Sequence, residues 1–172
     1  MDKRFPIIWL TGLPCSGKTT LANALSKICI VEVLDGDVLR ATPFAMNAGF
    51  SPEDRKRHLL RVGYLAERLS KYSIVICAFV SPSEEVRQQL PIDVMVYVKC
   101  PKEECIRRDI KGMWAKAIRG EIKDFTGVDA EYEEPINPDV IVDTSVMTIE
   151  DCVWEVFKYM FQAKIGKIIG GI

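Results

Sequence analysis

Five short runs rich in apolar and β-branched residues, at positions 6–10, 30–34, 73–79, 92–98 and 139–142, recur along the 172-residue chain. Such runs predict strands. Between and after them lie segments at 18–28, 52–71, 83–89, 102–109 and 148–163 whose apolar positions repeat at a helical period. Strands alternating with helices predict βαβ units and an α/β fold: a mostly parallel five-stranded sheet with helices on both faces, in three layers. Ser51 ahead of Pro52, Glu53 and Asp54 has the form of an N-cap, with proline at the first helical position and acids in the first turn. In the last helix, Ile149, Cys152, Val153, Val156, Phe157, Met160 and Phe161 form one stripe, read as core packing. Residues 1–163 are expected to form a single domain, and 164–172, with Gly166, Gly170 and Gly171, a loosely held tail.

Composition narrows the class of partner. Charged residues make up 27% of the chain, but the formal net charge is only −1, so no global basic field advertises nucleic acid or an anionic membrane. The opening Met1-Asp2-Lys3-Arg4 leads into an apolar run too short for a signal-peptide core or a membrane span, which predicts a cytoplasmic protein. Six cysteines without a C-x-x-C pair, and a single histidine at His58, argue against zinc and for free thiols acting mostly as small apolar groups.

The chemistry starts directly after the first strand. Gly12-Leu13-Pro14-Cys15-Ser16-Gly17-Lys18-Thr19 matches the G-x-x-x-x-G-K-[ST] phosphate loop and runs into the helix-compatible Thr20-Leu21-Ala22. A strand, this loop and a helix N-terminus aim backbone N–H groups at one small volume suited to phosphate. Residues Gly12 to Thr20 are therefore the expected ATP site. Lys18, read as an exposed loop cation, reaches the β- and γ-phosphates, and the Thr19 hydroxyl ligates Mg²⁺.

In an open parallel sheet, ligands bind beyond the carboxyl ends of the strands. Asp35-Gly36-Asp37, followed by Arg40, sits at the end of the second run. Taken alone the triplet is a turn; beside a phosphate loop, Asp37 can orient or deprotonate an attacking hydroxyl, or hold Mg²⁺ through a water. At the end of the third run, Phe79-Val80-Ser81-Pro82 can present backbone to a substrate, with a plain strand end as the alternative. Residues 108–128, basic and punctuated by Gly112, Gly120 and Gly127, suit a lid that closes over phosphates and excludes water. For Lys116 and Arg119 individually, a solvated helix face is the competing reading.

Read in order, these segments resemble the adenylyl-sulfate kinase family. The most specific matches are Arg108-Asp109-Ile110-Lys111-Gly112, Gly120-Glu121-Ile122-Lys123, Phe125-Thr126-Gly127, Tyr132-Glu133 and Asp143-Thr144, joined by Gly49-Phe50-Ser51 with Asp54-Arg55. The resemblance implies a P-loop kinase fold, usually dimeric, that uses MgATP to phosphorylate the 3′-hydroxyl of adenosine 5′-phosphosulfate. It further implies that Lys18 and Asp37 are catalytic. Arg40, Arg55 and Lys111 would contact the anionic acceptor, with Val80, Ser81 and Asp124 also on its side, and Phe50 and Phe125 would sandwich its base, core burial being the alternative for either ring. His58 stands where the family usually has a substrate-contacting Asn, and an imidazole that titrates near neutrality would make acceptor binding pH-dependent. Residues 41–48 also depart from the family pattern. Those departures keep two alternatives open: a related kinase acting on another nucleotide-linked acceptor such as cytidine diphosphoramidate, and a non-catalytic nucleotide-binding regulatory domain.

Overall fold

The protein is described by a computed structural model over residues 4–46 and 48–162; the expected tail at 164–172 lies outside the described residues. Strands β1 (Ile7–Thr11), β2 (Val31–Asp35), β3 (Ile74–Ala78), β4 (Val94–Lys99) and β5 (Val140–Asp143) form one five-stranded sheet among these residues, in the order β2-β3-β1-β4-β5. Every pairing is parallel, with Ile8 opposite both Ile76 and Val94.

The alternation of side chains along β1 builds the layers. Ile8 and Leu10 face a core shared with Leu21 and Leu25 of α1 (Lys18–Leu25) and with Cys152, Val156 and Met160 of the last helix. Ile7 and Trp9 face the opposite core, closed by Leu59, Val62 and Ala66 of the long helix at 52–69. Each buried Val, Leu, Ile or Met side chain among them contributes about 1.5–3 kcal/mol by its removal from water. A third cluster, Cys100, Cys105, Trp114, Ala117 and Phe125, lies under the basic segment.

Two helices escape the periodicity reading. The five residues of α2 (Gly36–Arg40) are held by the Asp35 side chain, which accepts from the amides of Asp37 and Val38, and a turn this short carries no apolar period. After α3 (Pro52–Leu69), α4 (Glu84–Arg87) and α5 (Lys102–Arg107), the segment read as a glycine-punctuated flap contains α6 (Met113–Ile118). The expected Ser51 cap is in place, its hydroxyl accepting from the Asp54 amide. In α7 (Ile149–Gln162) the core stripe is narrower than the sequence reading: Cys152, Val156 and Met160 are buried, while Phe161 is 56% exposed. The i+4 spacing of those three sets the buried line. Phe157 and Phe161 fall to its flank, where they pack with Trp154 as a row of rings.

Candidate active site

The sheet order makes β2, β3 and β1 neighbours, so the three segments singled out at their carboxyl ends converge. The phosphate loop leaves β1 at Thr11. Gly12 passes so close to β4 that a β-carbon there would lie 2.4 Å from the Val98 carbonyl oxygen, so no other residue fits. Gly17 and Cys15 take positive φ (99° and 65°), and α1 begins at Lys18. The loop is braced from outside: Thr144 Oγ1 donates to the Ser16 carbonyl at 2.8 Å while accepting from Arg108 at 3.0 Å. From the basic segment, the Trp114 indole donates to the Pro14 carbonyl at 3.2 Å.

Lys18 is 8% exposed, not the exposed loop cation expected from sequence. Its ammonium folds back onto the loop, donating to the carbonyls of Gly12 (2.9 Å) and Leu13 (2.7 Å). Burial pulls its pKa down to about 8, partly opposed by the nearby Cys105, Cys15, Asp35 and Asp37. A phosphate group entering the loop offers this ammonium an anionic partner in place of two carbonyl dipoles.

The carboxylate in contact with the loop is Asp35, which the sequence reading left without a role. Its Oδ2 accepts from Thr19 Oγ1 at 2.6 Å, and its Oδ1 caps α2. No local signal singles it out, because the helix that it caps is too short to carry an apolar period and the two aspartates of the triplet look alike in the chain. Thr19 and Asp35 present hard oxygen donors side by side, the donor type Mg²⁺ takes. No group of three or more potential His, Cys, Asp or Glu metal ligands occurs among the described residues. The donor set therefore fits a magnesium ion that takes the rest of its shell from nucleotide phosphate and water, not a metal caged by protein alone. Asp37 is exposed and bonded to Lys111 Nζ at 2.6 Å, which raises the lysine's pKa. Both partners are well exposed, so the bridge is worth no more than about 1 kcal/mol and yields readily to a stronger anion.

The other residues expected on the acceptor side divide between available and engaged. Arg40 donates to the Ala48 carbonyl at 2.8 Å and lies 4.3 Å from the centroid of the Phe50 ring, itself half exposed. Arg55 uses its whole fork: Nε donates to the Phe50 carbonyl at 2.7 Å, and the two terminal nitrogens to the Thr126 hydroxyl and the Asp124 carbonyl. It thereby ties the Phe50 turn to the basic segment, with Asp124 at a positive φ of 55°. Phe125 points inward, 8% exposed and edge-on to Trp114 at 5.1 Å. Its ring belongs to the cluster under the basic segment, and stacking on a ligand requires that contact to loosen. The Val80 carbonyl accepts from Thr11 Oγ1 at 2.7 Å, and buried Ser81 accepts from the Trp9 indole at 2.8 Å.

His58 differs most from its sequence reading. It is 2% exposed, wedged edge-on against Phe44 and Phe79, and neither ring nitrogen has a hydrogen-bond partner among the described residues. Burial, reinforced by Arg40 and Arg61, pushes its pKa down to about 4. The imidazole is neutral throughout the physiological range, so the expected titration near neutrality does not occur.

Comparison with known proteins agrees with this geometry. The model of the adenylylsulphate kinase family matches residues 4–143. A probable adenylyl-sulfate kinase of Halalkalibacterium halodurans is 41% identical over 94% of this chain and 85% of its own. One of Archaeoglobus fulgidus is 48% identical over 80% of this chain and 95% of its own. Among solved structures, the Mycobacterium tuberculosis APS kinase CysC in complex with AMPPNP and APS superposes with a TM-score of 0.85 at 32% identity, covering 91% of this chain and 98% of that one. A family model that spans residues 4–143, and relatives at this level of identity, place this chain in the adenylyl-sulfate kinase family.

Proposed function

We propose that this kinase transfers the γ-phosphoryl group of ATP to the 3′-hydroxyl of adenosine 5′-phosphosulfate, giving 3′-phosphoadenylyl sulfate and ADP. The observation that carries the reading is the 2.6 Å contact between Lys111 and Asp37. It brings the lid's cation to the carboxylate beside the phosphate loop, where an acceptor hydroxyl and a γ-phosphate would meet. Lys18 and the loop amides hold the triphosphate and neutralise charge that grows on transfer. Asp37, released from Lys111 by the incoming anion, accepts the proton of the acceptor hydroxyl. Arg40 has guanidinium nitrogens unengaged among the described residues and suits an oxyanion. Phe50 offers an exposed face for a base. Phe125 would join it only after parting from Trp114. Magnesium, held by Thr19 and Asp35 directly or through water, with Asp37 as a water-mediated alternative, would stabilise charge on the transferred group.

A coupled assay of ADP release with adenosine 5′-phosphosulfate tests the assignment. Acceleration over ATP alone is expected, and its absence sinks the acceptor. The same assay with cytidine diphosphoramidate separates the second reading, a relative with another nucleotide-linked acceptor. What favours that reading is His58, a buried ring edge-on to Phe44 and Phe79 where the family usually has a substrate-contacting Asn. A homodimer is the assembly the family resemblance implies, and sedimentation velocity at micromolar protein checks it. No helix among the described residues is long and apolar enough to cross a membrane.

A further inference from the structure

Between the turn that leaves β3 and the segment that returns from the lid lies a buried polar node that the phosphoryl-transfer reading does not use. Its centre is Arg87 on α4, whose side chain has no solvent exposure. Nη1 donates to the Ser81 carbonyl at 2.6 Å and Nη2 to the Glu133 carbonyl at 2.7 Å. Nε and Nη2 also reach the Glu84 carboxylate, at 2.9 and 2.7 Å. The two segments meet directly as well: the Glu133 amide donates to the Pro82 carbonyl at 2.9 Å, and the Glu84 amide to Glu133 Oε2 at 2.6 Å.

Ser81 sits at φ 45°, in the left-handed region that a β-carbon disfavours. Such a conformation persists only where its surroundings over-determine it. Here they do so from two sides. Trp9 holds the Ser81 hydroxyl and Thr11 holds the Val80 carbonyl, while Tyr132 closes the ring through its contact with Thr11 at 3.0 Å. On the other side stands Arg87. A cation with no access to water is tolerated only when its donors are satisfied, and a planar fork can span two carbonyls and a carboxylate where an ammonium cannot.

We infer that Arg87 is a positioning residue of the acceptor site. By tying the Ser81 carbonyl to the Glu133 carbonyl it fixes the strained turn at the end of β3 and couples that turn to the lid's return segment. This rests on the reading that the 79–82 turn faces the acceptor. Among the described residues no hydrogen bond joins Arg87 to residues 12–20, so its influence is expected on the acceptor side and not on ATP.

The test is Arg87→Lys, which keeps the positive charge opposite Glu84 but loses the fork. Steady-state kinetics should show the acceptor KM raised tenfold or more with the ATP KM within twofold. Hydrogen exchange, read without any acceptor, should show the Glu84 and Glu133 amides exchanging at least tenfold faster, with the Ser16 amide unchanged. Acceptor and ATP KM rising together, neither moving, or exchange at Glu84 and Glu133 staying at the wild-type rate overturns the inference. A mistaken acceptor would silence the kinetics and leave the exchange result standing, which separates the two failures. Where Arg87→Lys does not fold, Glu84→Gln gives both readouts: it removes the carboxylate that anchors the guanidinium, loosening its hold on both carbonyls, and it should move the same amides and the same KM, at least threefold. No movement in that variant is equally fatal.

Discussion

Acidification should destabilise this protein through one side chain, and the effect can be worked from His58. The imidazole titrates near 6.5 in an unfolded chain and at about 4 in the fold. Because the folded pKa is the lower one, the unfolded state binds the proton first as pH falls. At pH 7.5 neither state carries it and the residue's linkage contribution is close to zero. Between 6.5 and 4 the unfolded chain gains a proton that the folded chain refuses, so stability is withdrawn progressively. By pH 4.5 the loss amounts to about 2.5 kcal/mol, from about 1.4 kcal/mol per pH unit of displacement less the partial protonation of the fold. The assay is urea unfolding of wild type and His58→Asn from pH 7.5 to 4.5. The carboxylates titrate alike in both proteins, so the difference between the curves isolates the imidazole. Wild type should lose about 2.5 kcal/mol more than the variant over that interval. As the chain holds only one histidine, NMR of its ring provides a direct check. A ring that titrates in the native protein near 6.5, or two unfolding series that stay parallel, refutes the reasoning.

Three further outcomes follow from the same contacts. Lys18→Ala should lower turnover by about a hundredfold or more, yet change stability by no more than about 1 kcal/mol, because two lost charge-assisted bonds are offset by release of a desolvated ammonium; turnover near wild type in a steady-state assay would remove Lys18 from the site. With its pKa brought down to about 8, Lys18 is charged below that pH and loses its proton above it, so titration calorimetry should show a non-hydrolysable ATP analogue binding progressively more weakly from pH 8 to 9.5; a flat affinity contradicts the shift. Phe125→Ala should cost about 3 kcal/mol in a melting experiment, since the ring is 8% exposed against Trp114, and should raise the acceptor KM more than the ATP KM; an unchanged acceptor KM makes the ring purely structural.

The strands and the phosphate loop were legible in the sequence because each is written in adjacent residues. An apolar run such as 74–78 is a strand almost whatever surrounds it, and Gly12 to Thr19 carries its own geometry in its glycines. What the sequence hid depends on relations between distant residues. Asp35 and Asp37 look equivalent in the chain, two carboxylates around a glycine. The fold separates them by turning α2 on Asp35, so that one reaches Thr19 and the other faces Lys111, 74 positions away. Arg87 is one arginine among many until the sheet order brings Ser81 and Glu133 within reach of a single guanidinium.

Burial reverses local meaning in the same way. Lys18, Phe125 and His58 are types that read as surface cation, stacking ring and neutral-pH titrator, and each reading assumes solvent. Lys18 instead is packed against its own loop carbonyls and Phe125 against Trp114. His58 lies between two phenylalanine rings. The direction of error is uniform: each of the three was assigned more water than it has. In a site whose task is to transfer a phosphoryl group to an alcohol and not to water, that excess dryness has a function. The lysine's depressed pKa and the inward ring of Phe125 are two local signs of an environment already poor in solvent before any nucleotide enters.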